Sequence, residues 1–153
     1  MLTASLDLTD FHRSKGETID ALGFGIRYAV QRAAQEGAEE ARQVGRFSDR
    51  TGRLRQGIVA RFIASSGRSA QWAILSIAPY SRYVESGTRP HVIEPRNAVA
   101  LRFMVNGQET FAKRVQHPGT QAMPFMGPAL LNAERVLYRD LHSVIARLDR
   151  FWN

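Results

Sequence analysis

The sequence predicts an α+β fold. Its centre is a four-stranded antiparallel sheet of two hairpins, with a long N-terminal helix, a long C-terminal helix and a short helix between the hairpins. Three observations predict it. Apolar residues recur at helical spacing towards both ends of the chain, period-two alternation fills the middle, and an Asn-Gly pair separates two alternating runs. The 153 residues favour one domain, 1–153. A domain of that size removes roughly 68–70% of the unfolded surface on folding.

Residues 1–14 read as a flexible arm. The first helix is expected over 15–45, because Ile19, Leu22, Ile26, Val30, Ala33, Ala34 and Ala41 form one stripe. Ser14 or Thr18 is available to cap it. Gly23, Gly25 and Gly37 weaken it, each by roughly 1 kcal/mol against Ala. The alternative value of such small residues is close approach of a neighbour. The segment "RQVGRFSDRTGRLRQG" follows. It carries Arg42, Arg46, Arg50, Arg53 and Arg55 against Asp49, with Gly45 and Gly52 as punctuation, and reads as a basic loop with a short helical turn after Thr51.

The sheet is expected over 57–116. In "IVARFIAS", Ile58, Ala60, Phe62 and Ala64 share a face; in "WAILSIA", Ala73, Leu75 and Ile77 alternate with Trp72, Ile74 and Ser76. "SSGRSAQ" joins the two as a hairpin loop. "PYSRYVES" reads as a short helix near 80–86 that starts at Pro79 and stops at Gly87. "TRPHVIEPRN" reads as extended, because Pro90 and Pro95 bias the residues before them away from helix. "AVALRFMV" is the third strand and 109–116 the fourth. A two-residue Asn106–Gly107 turn would set Phe103 opposite Thr110; a three-residue loop would set Phe103 opposite Phe111 and Val99 opposite Val115. The hydrophobic pattern favours the second register, with a bulge near Gly107. The last helix is expected over 124–151, with Pro124 and Pro128 at its start and Leu130, Ala133, Leu137, Leu141, Val144, Leu148 and Trp152 (or Phe151) as its stripe.

Composition excludes several classes. Hydrophobic residues make up 44% and charged residues 23%, a globular balance. No apolar run approaches the length of a membrane span, so no membrane role is expected. "MLTASLDLTDFHRSKGE" lacks the apolar core of a signal peptide. Cysteine is absent, which removes disulfides and thiolate metal ligands. The net charge is +7, and since Lys15 and Lys113 are the only lysines, 19 of the 21 basic residues are arginine. Arginine suits carboxylate and phosphate partners alike.

Catalytic patterns are missing. There is no HExxH, G-x-S-x-G or Walker loop, and "GFGIRYA" is only a fragment of a dinucleotide fingerprint. His12, His91, His117 and His142 share no helical turn. His91 and His117 flank the second hairpin and can approach each other, but a metal would need a third ligand such as Glu85 or Glu94. Glu85 has no paired carboxylate in its neighbourhood and suits an Arg82 or Arg89 partner better than a general base. The expectation is no enzyme, no cofactor and no metal. The run Arg46, Arg50, Arg53 and Arg55 is the candidate for non-specific contact with DNA or for an acidic protein partner.

Three segments, "TGRLRQGI" (51–58), "YSRYVESGT" (80–88) and "HPGTQAMPFMGPAL" (117–130), together resemble the head–tail joining or tail-completion family of long-tailed bacteriophages. Gly57 stands where that pattern usually has Ser. The resemblance implies a structural virion protein of the neck, made in the host cytoplasm and assembled as a cyclic homo-oligomer, a hexamer or a dodecamer. Its implied neighbours are the head-closure or connector protein and the tail tube or tail terminator. A tail-terminator ring is the near alternative, and a small basic nucleic-acid-binding phage protein the distant one. The motif residues Tyr80, Tyr83, Glu85, Gly87, Thr88, His117, Pro118, Gly119, Pro124 and Phe125 become the expected subunit or ring interface. The two motif loops are expected to meet, with Phe125 and Met126 anchoring the 117–119 loop.

Overall fold

The computed structural model describes residues 2–5, 16–43, 45–67 and 69–152. The chain divides into two compact units, one of residues 1–81 with 124–153 and a second of residues 82–123.

The first unit holds two long helices on a three-stranded sheet. Helix α1 spans Gly16–Ala41. A short helix α2, Arg53–Gln56, begins at Gly52, whose φ of 74° is a left-handed geometry suited to glycine. Strands β2 (Ile58–Ser66) and β3 (Ser69–Ser76) form the expected first hairpin. Strand β1, Leu2–Ser5, pairs antiparallel with β3, so the sheet order is β1-β3-β2. The free-arm expectation is therefore corrected at residues 2–5: β3 had an open edge of backbone donors and acceptors, and β1 satisfies it. The rest of that segment lies outside the described residues.

Helix α4, Met126–Trp152, closes the unit. Pro124 precedes it, while Pro128 sits in its first turn, where no helical N–H is required. Leu22, Ile26, Ala29, Val30 and Ala33 of α1 meet Val136 and Leu137 of α4 and Ala70 of β3 in one core, with Trp72, Leu141 and Val144 packed against it. Leu22 to Ala41 of α1 and Ala133 to Val144 of α4 follow the predicted stripes, whereas Ala129 is buried and Leu130 is 40% exposed; the side chains of Ile19, Leu148, Phe151 and Trp152 lie outside the described residues. The small residues of α1 have the role that close packing demands. A Cβ on Gly37 would come within 2.5 Å of Ile74 Cδ1 and 2.9 Å of Ala133, and one on Gly25 within 2.9 Å of Val144. The helix-propensity cost of these glycines is offset by the approach of α4 and β3.

Trp72 and Ile74 belong to the sheet face that meets the helices; on β2, Phe62 lies opposite Trp72, Ala60 opposite Ile74 and Ile58 opposite Ser76. A register shift between Phe62 and Ala64 leaves Ile63 unpaired and sets Ala64 against Gln71. This bulge breaks the single apolar face expected along β2.

The second unit contains most of α3 (Ser81–Ser86), then β4 (His91–Ile93), β5 (Leu101–Val105), β6 (Gln108–Ala112) and β7 (Val115–His117). Gly87, with φ 69°, ends α3 as expected. The strands form two separate two-stranded ribbons, β4-β7 and β5-β6; the second expected hairpin, β5-β6, is a ribbon of its own and not half of one sheet with β2 and β3, so the single four-stranded sheet is not formed. The β5–β6 register is also corrected. Asn106 (φ 50°) and Gly107 (φ 83°) are both left-handed, a two-residue type I′ turn, which sets Phe103 against Thr110 and Phe111 against Arg102. Turn geometry, already matched to the strand twist, overrides the gain from aligning Phe103 with Phe111.

Candidate functional site

Two short segments clasp each other within the second unit. Thr88 and Thr120 form an isolated antiparallel bridge, with N–H to O distances of 3.0 and 3.1 Å in the two directions. Their hydroxyls lie 3.0 Å apart, and the Thr120 N–H also reaches Thr88 Oγ1 at 3.0 Å. The Met123 N–H donates to Val84 O at 2.9 Å and extends the seam.

Glycine makes this approach possible. Gly87 and Gly119 both have positive φ, 69° and 89°. A Cβ on Gly87 would lie 2.5 Å from Thr120 O and 2.7 Å from Ala122 N; one on Gly119 would drive into Thr88 O. The Gly-Thr pairs at 87–88 and 119–120 are thus two halves of one lock. The motif loops meet, through backbone atoms.

The ribbon β4-β7 prolongs the clasp. His91 pairs with His117 in register, and their rings lie 5.0 Å apart at 31°. His91 Nδ1 is 2.8 Å from Arg89 O, and His117 Nδ1 accepts the Gly119 N–H at 3.0 Å. Both histidines therefore hold the backbone of the loops flanking them. No group of three His, Asp or Glu is arranged for a metal among the described residues. His12 lies outside them.

Around the clasp, Tyr83 is 45% exposed, with the Arg82 guanidinium 4.6 Å above its ring and 2.6 Å from its hydroxyl. Glu85 is half-buried, while Pro118 is exposed. In the first unit, Tyr80 and Pro124 are exposed. Phe125 differs from the other expected interface residues. It is 1% exposed, with its ring 5.0 Å from that of Phe47. Its side chain is packed in the core of the first unit.

The basic loop of the first unit is largely turned inward. The Arg55 guanidinium covers the Phe47 ring at 4.9 Å and donates to Arg42 O, and the Arg55 N–H donates to Asp49 Oδ2 at 2.8 Å. Arg42 Nε donates to Ile58 O at 2.9 Å, and Arg46 pairs with Glu40. Arg50 and Arg53 are exposed and make no ion pair among the described residues. Of the four arginines expected to act together, Arg46 is paired with Glu40 and Arg55 satisfies the Arg42 carbonyl that irregular backbone leaves open, while Arg50 and Arg53 remain exposed.

Sequence reading missed one surface altogether. Phe24 (65% exposed) and Tyr28 (55%) form an aromatic ridge on α1. The signal was present: at i and i+4 they fall outside the Leu22–Ile26–Val30 stripe. On one side lies a groove of about 440 Å³ between α1 and α4, and on the other a hollow of about 270 Å³ that reaches Phe62 and Trp72.

Residues 24–87 match the family model described as "Bacteriophage HK97-gp10, putative tail-component". The match runs from the aromatic ridge of α1 to the stop glycine of α3. It contains the first of the three resembling segments and nearly all of the second, and it bears out the resemblance to phage tail proteins. Neither curated proteins nor solved structures give a significant match.

Proposed function

We propose, for a chain whose residues 24–87 are similar to a phage tail-component family, that it is a structural protein of the neck. It would join the head connector to the tail as one subunit of an oligomeric ring. The family match carries the coarser part, a tail-related structural component of the virion. The finer part rests on the second unit, whose motif residues make a stiff, solvent-facing loop pair instead of a reactive cleft. A backbone clasp closed by two left-handed glycines presents Thr88, Pro118 and Tyr83 in fixed positions. Fixed, amphipathic contact groups suit a surface read by a neighbouring subunit or ring.

In this reading the protein is not an enzyme, and its partners are further copies of itself, the connector side and the tail side. Arg50 and Arg53 are the groups available to channel DNA or to an acidic neighbour. The test is a phage lacking the chain. Filled heads and free tails accumulate separately, and the wild-type chain supplied afterwards joins them. Intact tailed particles formed without the chain rule out the joining role. Imaging of labelled wild-type particles distinguishes the neck from a tail-terminator position.

A further inference from the structure

We propose that the groove between α1 and α4, with the Phe24–Tyr28 ridge along it, is the docking site for an acidic amphipathic helix of another protein. The inference goes beyond the ring reading and does not depend on it.

The surface has a shape that a third helix fills. The groove follows α1 from Ala21 to Arg32, three turns or roughly 17 Å. Leu22, Gly25, Ala29 and Val144 give it an apolar lining, and its volume is about 440 Å³. Phe24 and Tyr28 stand exposed along one wall. A helix that docks in this way lays apolar side chains at i, i+3 or i+4 and i+7 into the groove. Aromatic rings at the edge of such a contact are the residue types that anchor it.

The charges decide which helix fits. Asp140 is the one carboxylate that lines the groove, and it is already held between Arg32 Nη1 at 3.4 Å and Arg139 Nε at 3.1 Å. Arg32 also reaches Glu36 at 3.9 Å, but both are nearly half exposed, so water screens that pair. Arg147 lines the groove, is exposed and makes no ion pair among the described residues. Across the ridge, Arg27 lines the hollow beside Phe62 and Trp72, again without an ion pair among the described residues. The two depressions thus hold three guanidiniums against one carboxylate that is already committed. A helix with an apolar face and carboxylates on its flanks matches them: apolar side chains enter the groove, one carboxylate meets Arg147, and another crosses the ridge to Arg27. Such complementarity selects the partner and speeds the encounter. A second copy is a poorer match, since a chain of net charge +7 brings mostly like charge. Nucleic acid supplies negative charge, but its phosphate backbone has no apolar face for the groove.

The test titrates the full chain with a fluorescein-labelled helical peptide of about 15 residues. The peptide carries leucines at groove spacing and glutamates on their flanks; a second version has lysine for each glutamate. The glutamate peptide should bind and the lysine peptide should not. Binding should shift the backbone amide signals of 21–32 and 140–147. Arg147→Glu and Arg27→Glu should each weaken the glutamate peptide about tenfold. The chain with both changes should bind the lysine peptide instead, which also shows that it folds. Arg53→Glu, the same charge change on the exposed α2 turn, should leave binding nearly unchanged. If Arg53→Glu weakens binding as much, the attraction is general to a cationic surface and the proposal falls. Failure of the glutamate peptide to bind also overturns it. So does a single-stranded oligonucleotide that shifts the same amides at lower concentration, or self-association that shifts them without peptide. None of these outcomes alters the joining assay on particles, which decides the ring reading separately.

Discussion

The two units are held together in different ways. Among the described residues, every buried hydrophobic one belongs to the first unit, from Leu22 through Ala78 and from Phe125 through Leu137. The second unit, 82–123, buries none fully. It holds its shape with two strand ribbons, a type I′ turn, a bridge between two threonines and glycines in conformations that side chains resist. The first unit gains from removing apolar area from water, at about 25 cal/mol per Å². The second relies on backbone hydrogen bonds, each worth about 1 kcal/mol net. A unit built in the second way keeps apolar groups such as Val99, Met104 and Phe111 at its surface, available to a partner.

The largest expected effect lies in the first unit. Phe125→Ala removes a ring that is 1% exposed and packed on Phe47, whose own ring Arg55 covers. The loss should be about 3–5 kcal/mol, as for other buried Phe truncations. It should shift the urea midpoint with the slope unchanged. A loss below about 1 kcal/mol would show that the loop can collapse onto the vacated space, and that Phe47 does not depend on its partner.

The next effect separates the units. Gly119→Val forces a β-branched residue into φ 89° and drives its Cβ into Thr88 O. Strain of this kind costs about 1–3 kcal/mol before any clash. Hydrogen-exchange protection should fall across 82–123 while the amides of α1 and α4 keep theirs. If protection falls equally in both, the two units fold as one cooperative body and the contrast between them fails.

What the sequence disclosed follows the same division. Regions governed by burial were largely legible: the middle of the α1 and α4 stripes and the existence of the β2–β3 hairpin follow from apolar periodicity, while the bulge after Phe62 does not. The helix stop at Gly87 and the Asn106–Gly107 turn were legible as turn chemistry. The register beyond that turn was not, because the apolar pattern and the turn pointed to different pairings and local geometry prevailed. The single sheet of two hairpins was not formed because β1 takes the open edge of β3, and the β5–β6 hairpin pairs only within itself. The pairing of Thr88 with Thr120 bridges 32 positions, and nothing in local periodicity encodes it. The repeated Gly-Thr was the available clue. The interior use of Arg42 and Arg55 was invisible for a similar reason, since the carbonyls they satisfy are exposed only by the path of the folded loop.

The smallest effect tests what the threonine side chains add to the clasp. Thr88→Val keeps the β-branched shape and both backbone hydrogen bonds of the bridge to Thr120. It removes the Oγ1 contacts with Thr120 Oγ1 and with the Thr120 N–H, each 3.0 Å. That N–H retains its bond to Thr88 O at 3.1 Å, so no buried donor is stranded. The hydroxyls are also near solvent, and water can replace part of what is lost. The cost should therefore be about 1 kcal/mol or less. It should be read as faster exchange of the Thr88 and Thr120 amides, with α1 and α4 unchanged. A cost as large as that of Gly119→Val would mean that the hydroxyls, rather than glycine-permitted backbone approach, hold the clasp. The roles of the two residues in each Gly-Thr pair would then be reversed.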